Sequence, residues 1–217
     1  MIGDAVNFWD HARLSTRKFG GQPDDYLRVH KFLDSSKLFY HHIKHRLLLH
    51  NLYGIELAMN LFGDYIENSD RKIVLVREIG QAHCREDLAG RVPTLGDWLG
   101  ESLELESRID PEALPRFEEP ELEAFLWKPY LRSGRQAALA ITFSDFGVYL
   151  VETFFGVDPA RAVAGRLGRV PAIKDFLQAF RFHSAWQYTP RRHDIDWLRT
   201  TDTDASCTGN EIERQPR

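Results

Sequence analysis

The chain has 217 residues, of which 43% are hydrophobic and 28% charged, with a formal net charge of −4. Those proportions are ordinary for a globular protein and exclude disorder of the whole chain. No apolar run is long enough to cross a bilayer. Cys84 and Cys207 are the two thiols, and Cys207 falls in a polar tail, so a structural disulfide is not expected and a reducing, cytoplasmic setting is.

In chain order, Asp4 is expected to cap a first helix whose buried stripe includes Phe8, Trp9, Ala12 and Phe19, ended by Gly20-Gly21. Pro23-Asp24-Asp25 suits the first turn of a second helix, with its acids at the positive end of the dipole. That helix would bury Tyr26, Val29, His30, Leu33 and Asp34. The long stretch from Lys37 to Gly63 reads either as one kinked helix or as two helices meeting near Asn51–Gly54. DYIENSDRKIVLV is a β-hairpin pattern, with turn formers at Asn68-Ser69-Asp70 and strand formers at 73–76. REIGQAHCREDLAG is a short helix ending at Gly90, and Thr94 caps another.

Residues 101–124 carry nine Asp/Glu against two Lys/Arg, together with Pro111, Pro115 and Pro120. This reads as a solvated connector. Beyond it, SGRQAALAITFSDFGVYLVETFFG has the composition of a buried helix, bent at Gly147. The polar residues 200–217 read as a disordered tail. The expected organisation is therefore a histidine-rich helical domain with a β-hairpin over 1–105, an acidic connector over 106–124, a second helical half over 125–199, and the tail.

Two ordered sequence blocks echo one another. GIELAMNLFG at 54–63 matches GVYLVETFFG at 147–156, and VPTLGDWL at 92–99 matches VPAIKDFL at 170–177. An internal duplication of a helical unit is expected, within a mainly α fold: a helical bundle with one small hairpin. The histidines break the symmetry, since seven of nine lie within residues 1–83. Ala138 and Phe143 stand where the first copy has His45 and His50.

Three patterns point to chemistry: His30-x3-Asp34, His45-Arg46-x3-His50 and His83-x3-Asp87. A separation of four places both members on one helical face, which suits a ligand pair or an imidazole oriented by a carboxylate. His45 and His50 lie about 140° apart on an ideal helix and converge only if it bends. Neutral imidazole with carboxylate suits a divalent transition metal: Zn, Fe or Mn. The expected ligands are His45, His50 and His83, completed or oriented by His30, Asp34 or Asp87, with Arg46 binding an anion. A metal-activated water would then attack a small anionic, phosphorylated substrate. His11 and His41-His42 are further candidates, less favoured because no acid accompanies them at helical spacing. Cys84 reads as a small core residue.

The order Gly-Gly, His-x3-Asp, His-Arg-x3-His, Phe-Gly, Gln-x-His-x3-Asp, Pro-Thr over roughly residues 8–100 resembles an uncharacterised, histidine-rich bacterial and phage domain family of unknown function. The resemblance implies a domain boundary near residue 100 and marks His30, Asp34, His45, Arg46, His50, His83 and Asp87. It carries no activity. The other functional reading is a non-catalytic interaction or self-association module with structural histidines, using apolar groups such as Phe125, Trp127, Phe154, Phe155, Trp186 and Trp197. With no dense basic patch, nucleic acid is not an expected partner; Arg13, Arg17 and Lys18 on the first helix are the sole weak argument for it.

Overall fold

A computed structural model describes residues 7–41, 43–100, 104–105 and 109–181. The expectations placed on Asp4, His42, Trp186, Trp197, Cys207 and the 200–217 tail lie outside these residues.

The chain is mainly helical, with one two-stranded antiparallel hairpin. Helix α1 (Phe8–Phe19) is capped by Asn7, whose side chain accepts from the amides of Trp9 and Asp10. Such a cap contributes about 1 kcal/mol. The buried face of α1 is His11, Ala12 and Ser15, while Phe8 and Trp9 are exposed. The expected apolar stripe is thus corrected: two aromatics at the first turn point outward, and a histidine and a serine take the inner face. Helix α2 (Pro23–Asp34) starts with proline in its first turn and buries Tyr26, Val29, His30, Leu33 and Asp34 as expected.

After α2 the chain tightens into a 3-10 turn at Ser35–Leu38, then a second at Ile43–His45, leading into the single-turn α3 (Arg46–Leu49). Neither of the two continuous-helix readings survives for residues 37–45. The break before α4 (Leu52–Phe62) does fall where Asn51 predicts it: Asn51 is extended and its Oδ1 accepts from the Gly54 amide. Gly63 ends α4 with φ 87°, a conformation open to glycine at little cost. Strands β1 (Tyr65–Glu67) and β2 (Ile73–Leu75) pair Ile66 with Val74. They turn the chain directly into α5 (Val76–Asp87). Helix α6 (Leu95–Gly100) is opened by Thr94, whose hydroxyl accepts from the Asp97 amide while Asp97 accepts from the Thr94 amide.

The second half holds α7 (Pro120–Ser133), α8 (Ala137–Thr142), α9 (Asp145–Phe155), α10 (Val157–Leu167) and α11 (Ile173–Ala179). Within the acidic stretch, Phe117 and Leu122 are buried and α7 begins at Pro120. The helix expected to bend at Gly147 is two helices, parted at Phe143 and Ser144. One apolar cluster joins Leu33, Leu48 and Ile55 to Phe146, Leu150 and Leu177. Phe39 and Phe146 meet edge to face with centroids 5.2 Å apart. The second half therefore packs on the first, and a smaller cluster around Leu126, Leu139 and Val163 is its own.

The two echoing blocks adopt matching local geometry. Ser144 is extended like Asn51, and its hydroxyl faces the Gly147 amide as Asn51 faces Gly54. Asn51 Nδ2 donates to Leu47 O and Ser144 Oγ to Ile141 O. The amide of Leu52 donates to Pro93 O at 2.9 Å, and that of Asp145 to Pro171 O at 2.9 Å. Gly156 closes α9 at φ 91° as Gly63 closes α4.

Candidate metal centre

The inner faces of α1, α2 and α5 and the turn after α3 meet at a buried polar cluster. Helix α5 presents His83 and Asp87 on one face, as their spacing of four requires. Helix α2 presents Asp34 at its last residue. His50 comes from the break after α3, at φ −86° and ψ 62°. Its carbonyl, which cannot continue a helix, accepts from Trp98 Nε1 at 3.2 Å.

One donor atom from each of Asp34, His50, His83 and Asp87 lies within 4.8 Å of the other three, and all four residues are buried. His50 Nε2 is 2.9 Å from His83 Nε2 and 2.9 Å from Asp87 Oδ2. Asp34 Oδ1 is 3.6 Å from His50 Nε2 and 3.8 Å from His83 Nε2. Donors arranged tetrahedrally at about 2.1 Å from an ion stand roughly 3.4 Å apart, and these separations fall on either side of that value. The cluster can hold a metal ion.

Hydrogen bookkeeping supports the same fit. A single hydrogen on His50 Nε2 can serve Asp87 or His83, not both. Among the described residues neither oxygen of Asp34 accepts a well-aligned hydrogen bond, although Lys37 Nζ stands 2.7 Å from Oδ1. Buried polar atoms are normally satisfied, and a cation satisfies converging lone pairs that protein hydrogens do not.

Around the four donors is a supporting layer. His30 Nδ1 lies 3.0 Å from His83 Nδ1, and His30 Nε2 lies 2.9 Å from Ser15 Oγ. With His83 Nε2 as a ligand, the tautomers follow: His83 Nδ1–H donates to His30, and His30 Nε2–H donates to Ser15. Arg46 donates from Nη1 to the Asp87 carbonyl at 2.8 Å and places Nη2 2.9 Å from Asp87 Oδ1. His11 Nδ1 is 2.6 Å from Glu86 Oε2, and its Nε2 is 3.6 Å from Asp87 Oδ1.

Burial first, and neighbouring imidazoles second, push His83 and His30 well below the ordinary histidine range. His45 is likewise held low by burial and by His50, and burial lowers His50 despite Asp87. All four rings are neutral near pH 7, the state in which imidazole ligates. Burial would raise Asp87, but the His50 hydrogen bond, His11 and Arg46 outweigh it and hold that carboxyl well below its usual range. His11 goes the other way: burial lowers it, and the Glu86 hydrogen bond with nearby carboxylates raises it overall.

Of the residues marked in the sequence, the structure gathers Asp34, His50, His83 and Asp87 as donors. His30 stands one step behind His83. His45 faces Ser36, with Nδ1 3.0 Å from Oγ, and meets His50 only ring edge to ring at 5.2 Å. Arg46 is turned onto Asp87. Sequence reasoning ranked His11 as a less favoured candidate and passed over Ser15, Lys37 and Glu86. Lys37 was visible as a residue three after Asp34; the His11–Glu86 pairing joins α1 to α5 and leaves no local trace. Cys84 is a buried free thiol, and burial pushes its pKa up. Among the described residues no helix is long and apolar enough to cross a membrane.

Residues 6–107 match the family described as Domain of unknown function (DUF6915). That span contains every residue of the cluster. No curated protein and no solved structure matches the chain.

Proposed function

We propose that residues 1–105 form a divalent-metal domain that hydrolyses a small anionic, phosphorylated substrate, with Asp34, His50, His83 and Asp87 as ligands. The observation that carries this reading is the convergence of four buried donors, two of them neutral imidazoles, without enough hydrogens to satisfy one another. Two nitrogens and two carboxylate oxygens suit Zn, Fe or Mn. When bound, such an ion supplies Lewis acidity and lowers the pKa of a water. The chain's own residues do the positioning. Arg46 fixes Asp87 through two contacts, and His30 with Ser15 fixes the His83 ring. Residues 106–124 then connect this domain to a second helical half, 125–199, which we read as a duplicated unit that kept the capping geometry of α4 and lost the imidazoles.

Elemental analysis of protein purified without a metal-binding tag tests this directly. Near-stoichiometric transition metal, lost in His83→Ala, is the expected result. Metal-free protein that gains neither ion nor stability on adding Zn²⁺ removes the reading.

A second reading is a non-catalytic module in which the same cluster is structural. Complete burial of all four donors favours it, because closed four-ligand sites are the structural kind. Exchange separates the two. A site open to substrate yields its metal to a chelator within minutes in folded protein, whereas a closed one yields it only on unfolding.

A further inference from the structure

A cleft of about 460 Å³ opens between the starts of α4 and α6 on one side and the end of α7 on the other. That volume suits a small organic molecule. Its walls come from both sides of residue 107, where the match to the family of unknown function ends.

Two side chains lining the cleft carry chemistry that the fold leaves unused. Tyr53 is buried, yet its hydroxyl makes no hydrogen bond among the described residues. Buried hydroxyls are normally partnered. Burial pushes its ionisation well above the usual tyrosine range, Glu56 adds to this and Arg132 opposes it, so the group is a neutral donor beside Arg132. Arg135 is half-buried, and its Nη2 stands 3.7 Å from where a Cβ on Gly100 would lie. No carboxylate pairs with it among the described residues. The backbone sets Arg135 in place. Gly134 ends α7 in the left-handed conformation at φ 65°, and the Ser133 hydroxyl accepts from the Arg135 amide at 3.2 Å while donating to the Pro129 carbonyl at 2.7 Å.

Charge and wall chemistry narrow the ligand class. Arg132 and Lys128 share the one carboxylate of Glu56. Asp97, at the exposed rim, accepts from the Thr94 amide. With Arg135, three cations stand against two carboxylates. An excess of one suits a singly charged anion, and Asp97 disfavours a second negative charge. Leu52, Leu95 and Pro129 supply apolar wall. We infer that the cleft binds a small organic carboxylate with an apolar body, its two oxygens taken by the Arg135 fork and the Tyr53 hydroxyl donating to one of them. A guanidinium matches a carboxylate in this two-pronged way. The second half then supplies the cation of a site that residues 6–107 line only in part. The site is separate from the metal centre and does not depend on it.

The test titrates the full chain with benzoate, hexanoate, benzamide and phenyl phosphate, followed by ligand-observed saturation-transfer NMR and by thermal unfolding. At least one of the two carboxylates is expected to bind. Benzamide, which keeps the shape of benzoate without its charge, is expected to bind at least tenfold more weakly, and phenyl phosphate no more tightly than benzoate. Arg135→Gln and Tyr53→Phe should each weaken the carboxylate roughly tenfold, the scale of one hydrogen bond to a charged group. Tyr53→Phe removes a hydroxyl without a partner in the unliganded fold, so its melting temperature without ligand should not fall. Arg161→Gln, at an exposed arginine of α10 outside the cleft, should bind as the unaltered protein does. Neither carboxylate bound, benzamide equal to benzoate, or affinity unchanged in Arg135→Gln overturns the inference and leaves the metal reading untouched. Phenyl phosphate at tenfold higher affinity than benzoate overturns the carboxylate class. A lower melting temperature with unchanged affinity in Tyr53→Phe overturns the role of Tyr53.

Discussion

His50 and His83 face each other through their Nε2 atoms at 2.9 Å, one from the turn after α3 and one from the middle of α5. Burial keeps both rings neutral near pH 7, so a cation between them is a better partner than a second proton. His45, five residues before His50, is instead engaged with Ser36. His50→Gln and His83→Gln should each abolish stoichiometric metal, and His45→Gln should retain it. Metal content of the three purified variants, each checked for helical circular dichroism, decides this. Equal loss in all three would return His45 to the ligand set.

Arg46 acts on Asp87, so its removal should register as stability before it registers as chemistry. Arg46→Met leaves a buried carboxylate without its cation, and breaking a buried pair from one side costs about 3–5 kcal/mol. The side chain is almost fully buried, so solvent screening gives little relief. Urea unfolding of metal-free protein measures the cost. A change under about 1 kcal/mol would show that Arg46 behaves like a surface ion pair and that Asp87 is held by other groups.

The metal-free protein should lose stability on mild acidification. His30, His45, His50 and His83 have folded pKa values depressed below the unfolded value near 6.5. Each therefore contributes stability that is present above that value and lost as pH falls below it, because the unfolded chain takes up the proton first. His11 has the opposite sign: its raised pKa adds stability below 6.5 that is lost as pH rises. Four against one gives a net loss between about pH 7 and 5, with a slope of about 1.4 kcal/mol per pH unit for each net proton. Urea midpoints at several pH values measure it. A flat profile would mean that the rings are charged or exposed in the fold.

Much of this arrangement was legible locally. The α2 face, the hairpin and the Asn51 break are each set by a few adjacent residues, and His83 with Asp87 follows from helical period alone. What was not legible depended on contacts between elements. Placing Asp34 rather than His45 beside His50 requires the backbone angles of His50 and the two 3-10 turns between Ser35 and His45, where helical spacing does not apply. Asn7 caps α1, and with the helix seated on His11, Ala12 and Ser15 the aromatic pair at 8 and 9 faces out. His11 joins the site through residues of α5 more than 70 positions away: Glu86, against its Nδ1, and His83, on which its ring packs at 4.0 Å.

The two halves should respond alike to the same small insult. Gly54 and Gly147 occupy the third helical position after Asn51 and Ser144. A Cβ at Gly54 would fall far inside van der Waals contact with the Leu49 carbonyl oxygen, and one at Gly147 would meet the Thr142 carbonyl in the same way. These contacts are with backbone, so no rotamer change relieves them. Leu49 and Thr142 are each the last residue of the preceding short helix, which must shift away from the cap to make room. Ordinary helix propensity favours alanine over glycine by up to about 1 kcal/mol, so propensity and packing predict opposite signs. Gly54→Ala and Gly147→Ala are each expected to destabilise by roughly 3 kcal/mol or more, at the severe end for a single methyl. In Gly54→Ala the displaced segment ends at His50, so metal should be lost as well; in Gly147→Ala the displaced segment ends at Phe143, and metal should be kept in whatever fraction remains folded. Thermal unfolding with metal analysis on both variants reads the two effects separately. A stabilised Gly147→Ala would show that the second half does not hold the close turn that the first half needs, and the duplicated-scaffold reading would fall with it.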